Sequence, residues 1–154
     1  MKKLFSTFCL ISFIAVSASF AQTPVLPEYN DDYQGVQSAI LDYVEGLYLV
    51  EPSRIEKSVH KELRKRGYWF DEKENDYRDN MDMNFMELKD LAATWNKDGK
   101  QANEFSPKEI EIYDIHDKTA TGKLVAEWGI DYFHLAKIDG KWWIMNVLWQ
   151  SHNN

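Results

Sequence analysis

Asp131, His134 and Asn146 are the residues near the C-terminus whose side chains suit chemistry. A carboxylate touching an imidazole makes an acid–base dyad, and a carboxylate buried among apolar groups acquires a raised pKa and serves as a general base. Whether these groups meet depends on a hairpin. Residues 119–138 and 141–149 alternate apolar and polar side chains around Asp139-Gly140, a pair suited to a type I′ turn because both central residues need positive φ. With those two as the loop, Ile138 opposes Lys141. One face then carries Asp131, Phe133, Leu135 and Lys137 beside Trp142, Ile144, Asn146 and Leu148. The other carries Ile130, Tyr132, His134 and Ala136 beside Trp143, Met145, Val147 and Trp149. Successive strand residues point to opposite faces, so Asp131 and His134 form no dyad unless a bulge intervenes.

On this register Asp131 and Asn146 lie diagonally on one face. They are either the polar spot of an apolar ligand pocket or a buried hydrogen bond that fixes the sheet. Phe133, Leu135, Trp142, Ile144 and Leu148 would line that pocket, with Tyr43, Leu47 and Trp95 closing the opposite wall. Tyr132, His134, Trp143, Met145 and Val147 form a second, mostly apolar patch, which predicts a homodimer through the outer sheet face. His134 then reads as an interface or core histidine, and His60 as one bonded to backbone or solvent. Tyr68, Trp69 and Trp95 read as packing residues.

Other chemistries lack their signatures. The four histidines are scattered without metal-ligand spacing. Neither a G-x-S-x-G elbow nor a phosphate-binding glycine loop occurs. The single cysteine, Cys9, sits in an apolar leader. No cofactor and no metal are expected.

The elements that must position the hairpin come earlier. Asp31 or Asp32 caps a helix running to about Val50, with Val36, Ile40, Val44 and Leu47 as its apolar stripe and Gly46 as a weak point or a place of close approach. Pro52 stops it. Ser53 and Glu56 form a capping box for a second helix with Ile55, Val59 and Leu63 on one edge and Gly67 as terminator. A small ribbon follows, 68–71 and 77–83. Asn84 and Glu87 cap a third helix marked by Phe85, Leu88, Leu91, Ala92 and Trp95. Residues 108–115 begin a three-stranded antiparallel meander. One strand over 119–138 would span roughly 65 Å, so Gly129 marks a bend or bulge. Helices followed by strands define an α+β domain.

Residues 1–21 read as an export signal: Lys2 and Lys3, an apolar run, then Ser19-Phe20-Ala21 before Gln22. Residues 22–30, with Pro24 and Pro27, are an extended lead-in, and 31–154 form one domain. A periplasmic or secreted location follows, with no membrane attachment after cleavage. The formal charge of −7 becomes more negative once the two lysines are lost. A strongly acidic chain argues against nucleic acid and anionic membrane as partners.

The ending "WGIDYFHLAKIDGKWWIMNVLW" and the segment "SVHKELRKRGYW", together with the element order, resemble the putative lumazine-binding branch of the nuclear transport factor 2-like (cystatin-like) superfamily, over about 33–149. The resemblance implies a cone-shaped fold, three N-terminal helices on a strongly bent antiparallel sheet. It also implies a ligand pocket for a lumazine-like or other aromatic molecule, and the "SVHKELRKRGYW" segment as the second helix and its exit. Three functions fit. The leading one is an exported domain binding a small apolar or aromatic molecule without catalysis. The second is an isomerase- or dehydratase-type enzyme with Asp131 as base. The third is an interaction or structural module whose cone is filled by its own side chains.

Overall fold

The computed structural model describes residues 31–79 and 81–153; the expected signal and lead-in lie outside these. Helix α1 (Asp31–Tyr48) opens the fold. Its stripe of Val36, Ile40, Val44 and Leu47 is buried, as the helical period requires. Val50 adopts φ 58°, and Pro52 begins α2 (Pro52–Ser58) instead of merely ending α1. Pro at the first helical position loses no hydrogen bond there. Gly46 is where the two helices meet: a Cβ on it would lie 2.9 Å from Ile55 Cδ1.

The second helix is shorter than its sequence predicts. Its N-cap is Glu51, without a side-chain cap bond, so Ser53 and Glu56 form no capping box. From Val59 the chain extends as β1 (Val59–Asp71). Leu63, Lys65 and Gly67 face inward while Arg64, Arg66 and Tyr68 face out. That period of two competes with the helical reading of Ile55, Val59 and Leu63, and pairing decides between them. β1 lies parallel to the last strand, from Arg64 opposite Asn146 to Tyr68 opposite Gln150, which satisfies its backbone groups along the sheet. His60 is accordingly a strand residue; its Nδ1 accepts from the Glu62 amide at 3.2 Å.

β1 turns back into β2 (Asp76–Arg78), shorter than the ribbon strand expected to Met83. Helix α3 (Phe85–Ala92) starts at the expected capping box: Asn84 Oδ1 accepts from the Met86 and Glu87 amides, and Glu87 Oε2 accepts from the Asn84 amide at 2.8 Å. Four strands follow, β3 (Glu109–Ile115), β4 (Thr119–Ala126), β5 (Gly129–Ile138) and β6 (Lys141–Ser151). The long strand expected over 119–138 is thus a hairpin, reversed at Glu127-Trp128, with Ala126 opposite Gly129. The sheet order is β2-β1-β6-β5-β4-β3, six strands in a mixed sheet with only β1 and β6 parallel. α1 packs across its inner face, Ile40 against Gly122 and Tyr43 edge-on to Phe133.

The Asp139-Gly140 turn has φ 50° and 79°, as a type I′ loop demands. Ile138 opposes Lys141 and Leu135 opposes Ile144, but His134 opposes Asn146. Met145 is therefore a bulge, and beyond it every side chain of β6 changes face. Val147 and Trp149 point inward, at 0% and 8% exposure, and Leu148 points outward at 47%. Asn146 also lies outside, 3.2 Å from His134 Nδ1. Asp131 and Asn146 do not share a face.

Gly129 has φ 143°, and a Cβ there would come within 2.0 Å of the Gln150 carbonyl oxygen. Gly140 has open space around it. We expect Gly129→Ala to cost roughly 3 kcal/mol from backbone strain and steric clash. Gly140→Ala should cost about 1 kcal/mol, from the left-handed backbone alone. Urea unfolding of the two variants checks the order.

Candidate functional site

The inner end of the sheet carries a buried charge pair. Lys65 reaches it from β1 and Asp131 from β5; the strand between them, β6, is bridged by Nζ–Oδ1 contact at 3.2 Å. Lys65 is 6% exposed and Asp131 is fully buried. Tyr43, from α1, accepts a second hydrogen bond from Lys65 Nζ at 2.7 Å. Trp128, from the β4–β5 turn, donates Nε1–H to Asp131 Oδ2 at 2.7 Å. Four elements thus converge on one polar cluster inside an apolar shell. Lys65 Nζ also lies 5.0 Å from the Trp149 ring centroid, so an aromatic ring supplements its carboxylate partner.

Burial pushes the Lys65 ammonium below its usual pKa, against the opposing pull of Asp131. Burial raises the Tyr43 phenol well above its usual range, and the Asp131 charge adds to that. Tyr43 is therefore a neutral phenol at any physiological pH. Tyr48 is likewise pushed up to about 12, mainly by burial.

Over this cluster opens a cavity of about 230 Å³, lined by Tyr43, Leu47, Lys65, Trp69, Met81, Met83, Leu88, Leu91, Trp95, Trp128 and Trp149. Its aromatic walls are braced against one another. Tyr48 stacks on Trp95 at 5.9 Å, Trp95 stands perpendicular to Trp128 at 5.2 Å, and Trp69 leans on Trp149 at 6.4 Å. The Tyr48 hydroxyl accepts from the Glu127 amide and donates to the Pro107 carbonyl, which fixes the turn bearing Trp128. Asn96 donates to the Tyr48 and Ala102 carbonyls and accepts from the Gln101 and Ala102 amides, which holds the segment bearing Trp95. Gly67 makes room for Trp149: a Cβ there would lie 1.9 Å from Nε1.

Of the pocket residues expected from sequence, Tyr43, Leu47 and Trp95 line the cavity. Asp131 lies beneath it, held by Lys65 and Trp128. Phe133, Leu135, Trp142 and Ile144 are buried core residues outside its lining. Trp142 instead donates Nε1–H to Asp32 at 3.0 Å. Asn146 and Leu148 leave the pocket altogether, turned out by the Met145 bulge. In the second patch, Tyr132 and His134 are exposed, Trp143 and Met145 are half-buried, and Val147 is core. Trp69, expected to pack the ribbon, is a wall residue. Lys65, Trp128 and Trp149 were not anticipated as site residues. The alternation of Leu63, Lys65 and Gly67 against charged neighbours is the signal that places Lys65 inward. Among the described residues no group of acidic, histidine or cysteine side chains is arranged to hold a metal, and no helix is long and apolar enough to cross a membrane.

A bent sheet closed by helices over one aromatic cavity defines an α+β domain with the nuclear transport factor 2-like fold. Residues 31–150 match the family described as "putative lumazine-binding", and the chain belongs to that family. No curated protein sequence matches it. Among solved structures it resembles a nuclear transport factor 2-like protein of Silicibacter pomeroyi DSS-3, at 11% identity and TM-score 0.57, covering 78% of this chain and 95% of that one. It also resembles one from Methylobacillus flagellatus KT, at 23% identity and TM-score 0.56, covering 79% and 93%. A protein described as a putative scytalone dehydratase from Novosphingobium aromaticivorans DSM 12444 aligns at 10% identity and TM-score 0.51, covering 78% and 83%. At these identities the likeness is one of fold.

The charge pair yields a stability test. Removing one member of a buried pair strands the other, which costs roughly 3–5 kcal/mol. We expect Asp131→Asn and Lys65→Met each to fall in that range. The double variant should lose far less than the two losses added together, because it strands no charge. Urea unfolding of the three proteins decides it, and additive losses would show that the residues act independently.

Proposed function

We propose that this domain binds a small, flat aromatic molecule in the Tyr43–Trp149 cavity, with the polar edge of the molecule toward Lys65. The observation that carries the reading is an aromatic-walled cavity floored by a buried, partnered ion pair. Apolar walls with a few fixed polar groups are the usual composition of a ligand site. At about 230 Å³ the cavity is below the roughly 300–1,000 Å³ of drug-sized sites, which suits one or two fused rings. The family description makes lumazine, a two-ring heterocycle, a reasonable first probe. Catalysis by Asp131 as general base is less well supported. Both carboxylate oxygens already accept hydrogen bonds from Lys65 and Trp128, and the group is fully buried.

Titration with lumazine and with naphthalene, followed by tryptophan fluorescence, tests the proposal. We expect saturable binding of at least one of them. Leu91→Trp, which fills the cavity from its half-buried wall, should weaken that binding by roughly tenfold or more while the protein stays folded by circular dichroism. Equal binding to wild type and Leu91→Trp would place the ligand elsewhere.

The export signal read from residues 1–21 supports a periplasmic or secreted protein. We also infer that two copies pair through the outer sheet face. Tyr132 and Leu148 are each 47% exposed and lie opposite each other in register. On the same face β1 presents Arg64 and Arg66, and β3 presents Glu109 and Glu111 at the far side, with Lys123 of β4 bonded to Glu111. A two-fold axis parallel to the strands sets the basic row of one copy against the acidic row of the other. Sedimentation at micromolar concentration should give a dimer that Leu148→Glu converts to a monomer. A wild-type monomer under those conditions would refute the pairing.

A further inference from the structure

The cavity is half open, and on the reading that it is the ligand site, the place where it opens constrains the shape of the ligand. Its inner end is closed by the buried side chains of Tyr43, Leu47, Leu88 and Trp149, with Trp149 filling the space above Gly67. The two lining side chains most exposed to water are Trp69, at 49%, and Met81, at 43%. β1 pairs with β6 as far as Tyr68 and with β2 from Trp69 onward, so Trp69 stands past the last rung shared with β6. Met81 comes to the opening from a different stretch of chain. Lys65 and Met83 exchange backbone hydrogen bonds at 3.0 and 2.8 Å, which fixes residues 81–83 beside β1. Asp82 turns toward Arg66, at 3.8 Å, while Met81 and Met83 on either side of it line the cavity, as alternation in an extended segment requires.

We propose that the ligand is an aromatic ring system bearing one unbranched aliphatic chain: the rings fill the cavity, and the chain leaves between Trp69 and Met81 and lies against both. At about 230 Å³ the interior takes the rings and has no room for a chain beside them, so a chain can only run outward. An indole and a flexible thioether offer it apolar surface that adapts to its course. Covering them also removes from water two large apolar side chains that otherwise face it. A second chain at the far end of the rings meets the closed wall, where buried side chains have no space to yield.

Two isomers test this without altering any wall of the cavity. 2-Butylnaphthalene and 2,6-diethylnaphthalene carry the same number of apolar carbons, but the first extends at one end of the rings and the second at both. By tryptophan fluorescence, 2-butylnaphthalene should bind about tenfold tighter than naphthalene, roughly twofold for each carbon half covered at the rim. 2,6-Diethylnaphthalene should bind no tighter than naphthalene. A photoreactive diazirine at the end of the butyl chain should label the peptides that carry Trp69 and Met81. If the two isomers bind alike and Leu91→Trp weakens both, the cavity remains the ligand site and the outward chain is refuted. Labelling confined to Leu47 or Leu88, at the closed end, refutes it as well. If lumazine binds and none of the three naphthalenes does, this inference alone falls; if nothing binds, the cavity reading fails and this inference with it.

Discussion

The Lys65–Asp131 pair ties together parts of the chain that would otherwise have little reason to meet. β1 is separated from β5 by β6, and its parallel pairing with β6 is the one non-antiparallel contact of the sheet. A lysine on the inner face of β1 has to find a counter-charge or lose its proton. Asp131 supplies the counter-charge from two strands away. Tyr43 fixes α1 over the same point, and Trp128 fixes the β4–β5 turn. Net stability is not what such a pair adds, since desolvation offsets most of its attraction. Its contribution is position: helix, strand and turn share a single register because each must present a group to the others.

That constraint explains why the cavity stays open. Around the polar cluster five of the lining side chains, Tyr43, Trp69, Trp95, Trp128 and Trp149, are aromatic, each braced by another ring. Tyr48 and Asn96 hold the backbone that carries Trp128 and Trp95. Rings locked in this way cannot collapse into a 230 Å³ space as flexible aliphatic side chains would, so part of the cone remains available to a guest.

The outer face follows from the same bulge that shaped the inner one. Met145 takes no partner in β5, so Val147 and Trp149 enter the interior while Asn146 and Leu148 emerge. One unpaired residue thus delivers Trp149 to the cavity wall and Leu148 to the outer surface, coupling the pocket to the surface through which we infer pairing.

Much of the architecture was legible in the sequence. The helical period of Val36, Ile40, Val44 and Leu47 placed α1, Asn84 and Glu87 marked the start of α3, and Asp139-Gly140 fixed the hairpin turn, because these signals act within a few residues of one another. Gly129 was read as a break, though not as a full reversal. The inner end of the hairpin was not legible. A bulge is chosen by how two strands and the helix above them pack, and no local pattern around Met145 announces it. The strand nature of 59–71 was hidden for a similar reason, since its backbone partners lie some eighty residues away and its apolar spacing fits helix and strand alike. Lys65 could be suspected from alternation alone, but that it would be buried against Asp131 beneath five aromatic rings was decided only when β1 docked beside β6. Local chemistry wrote the turns and caps; the site was made by long-range pairing, which lets a buried charge settle only where its partner already stands.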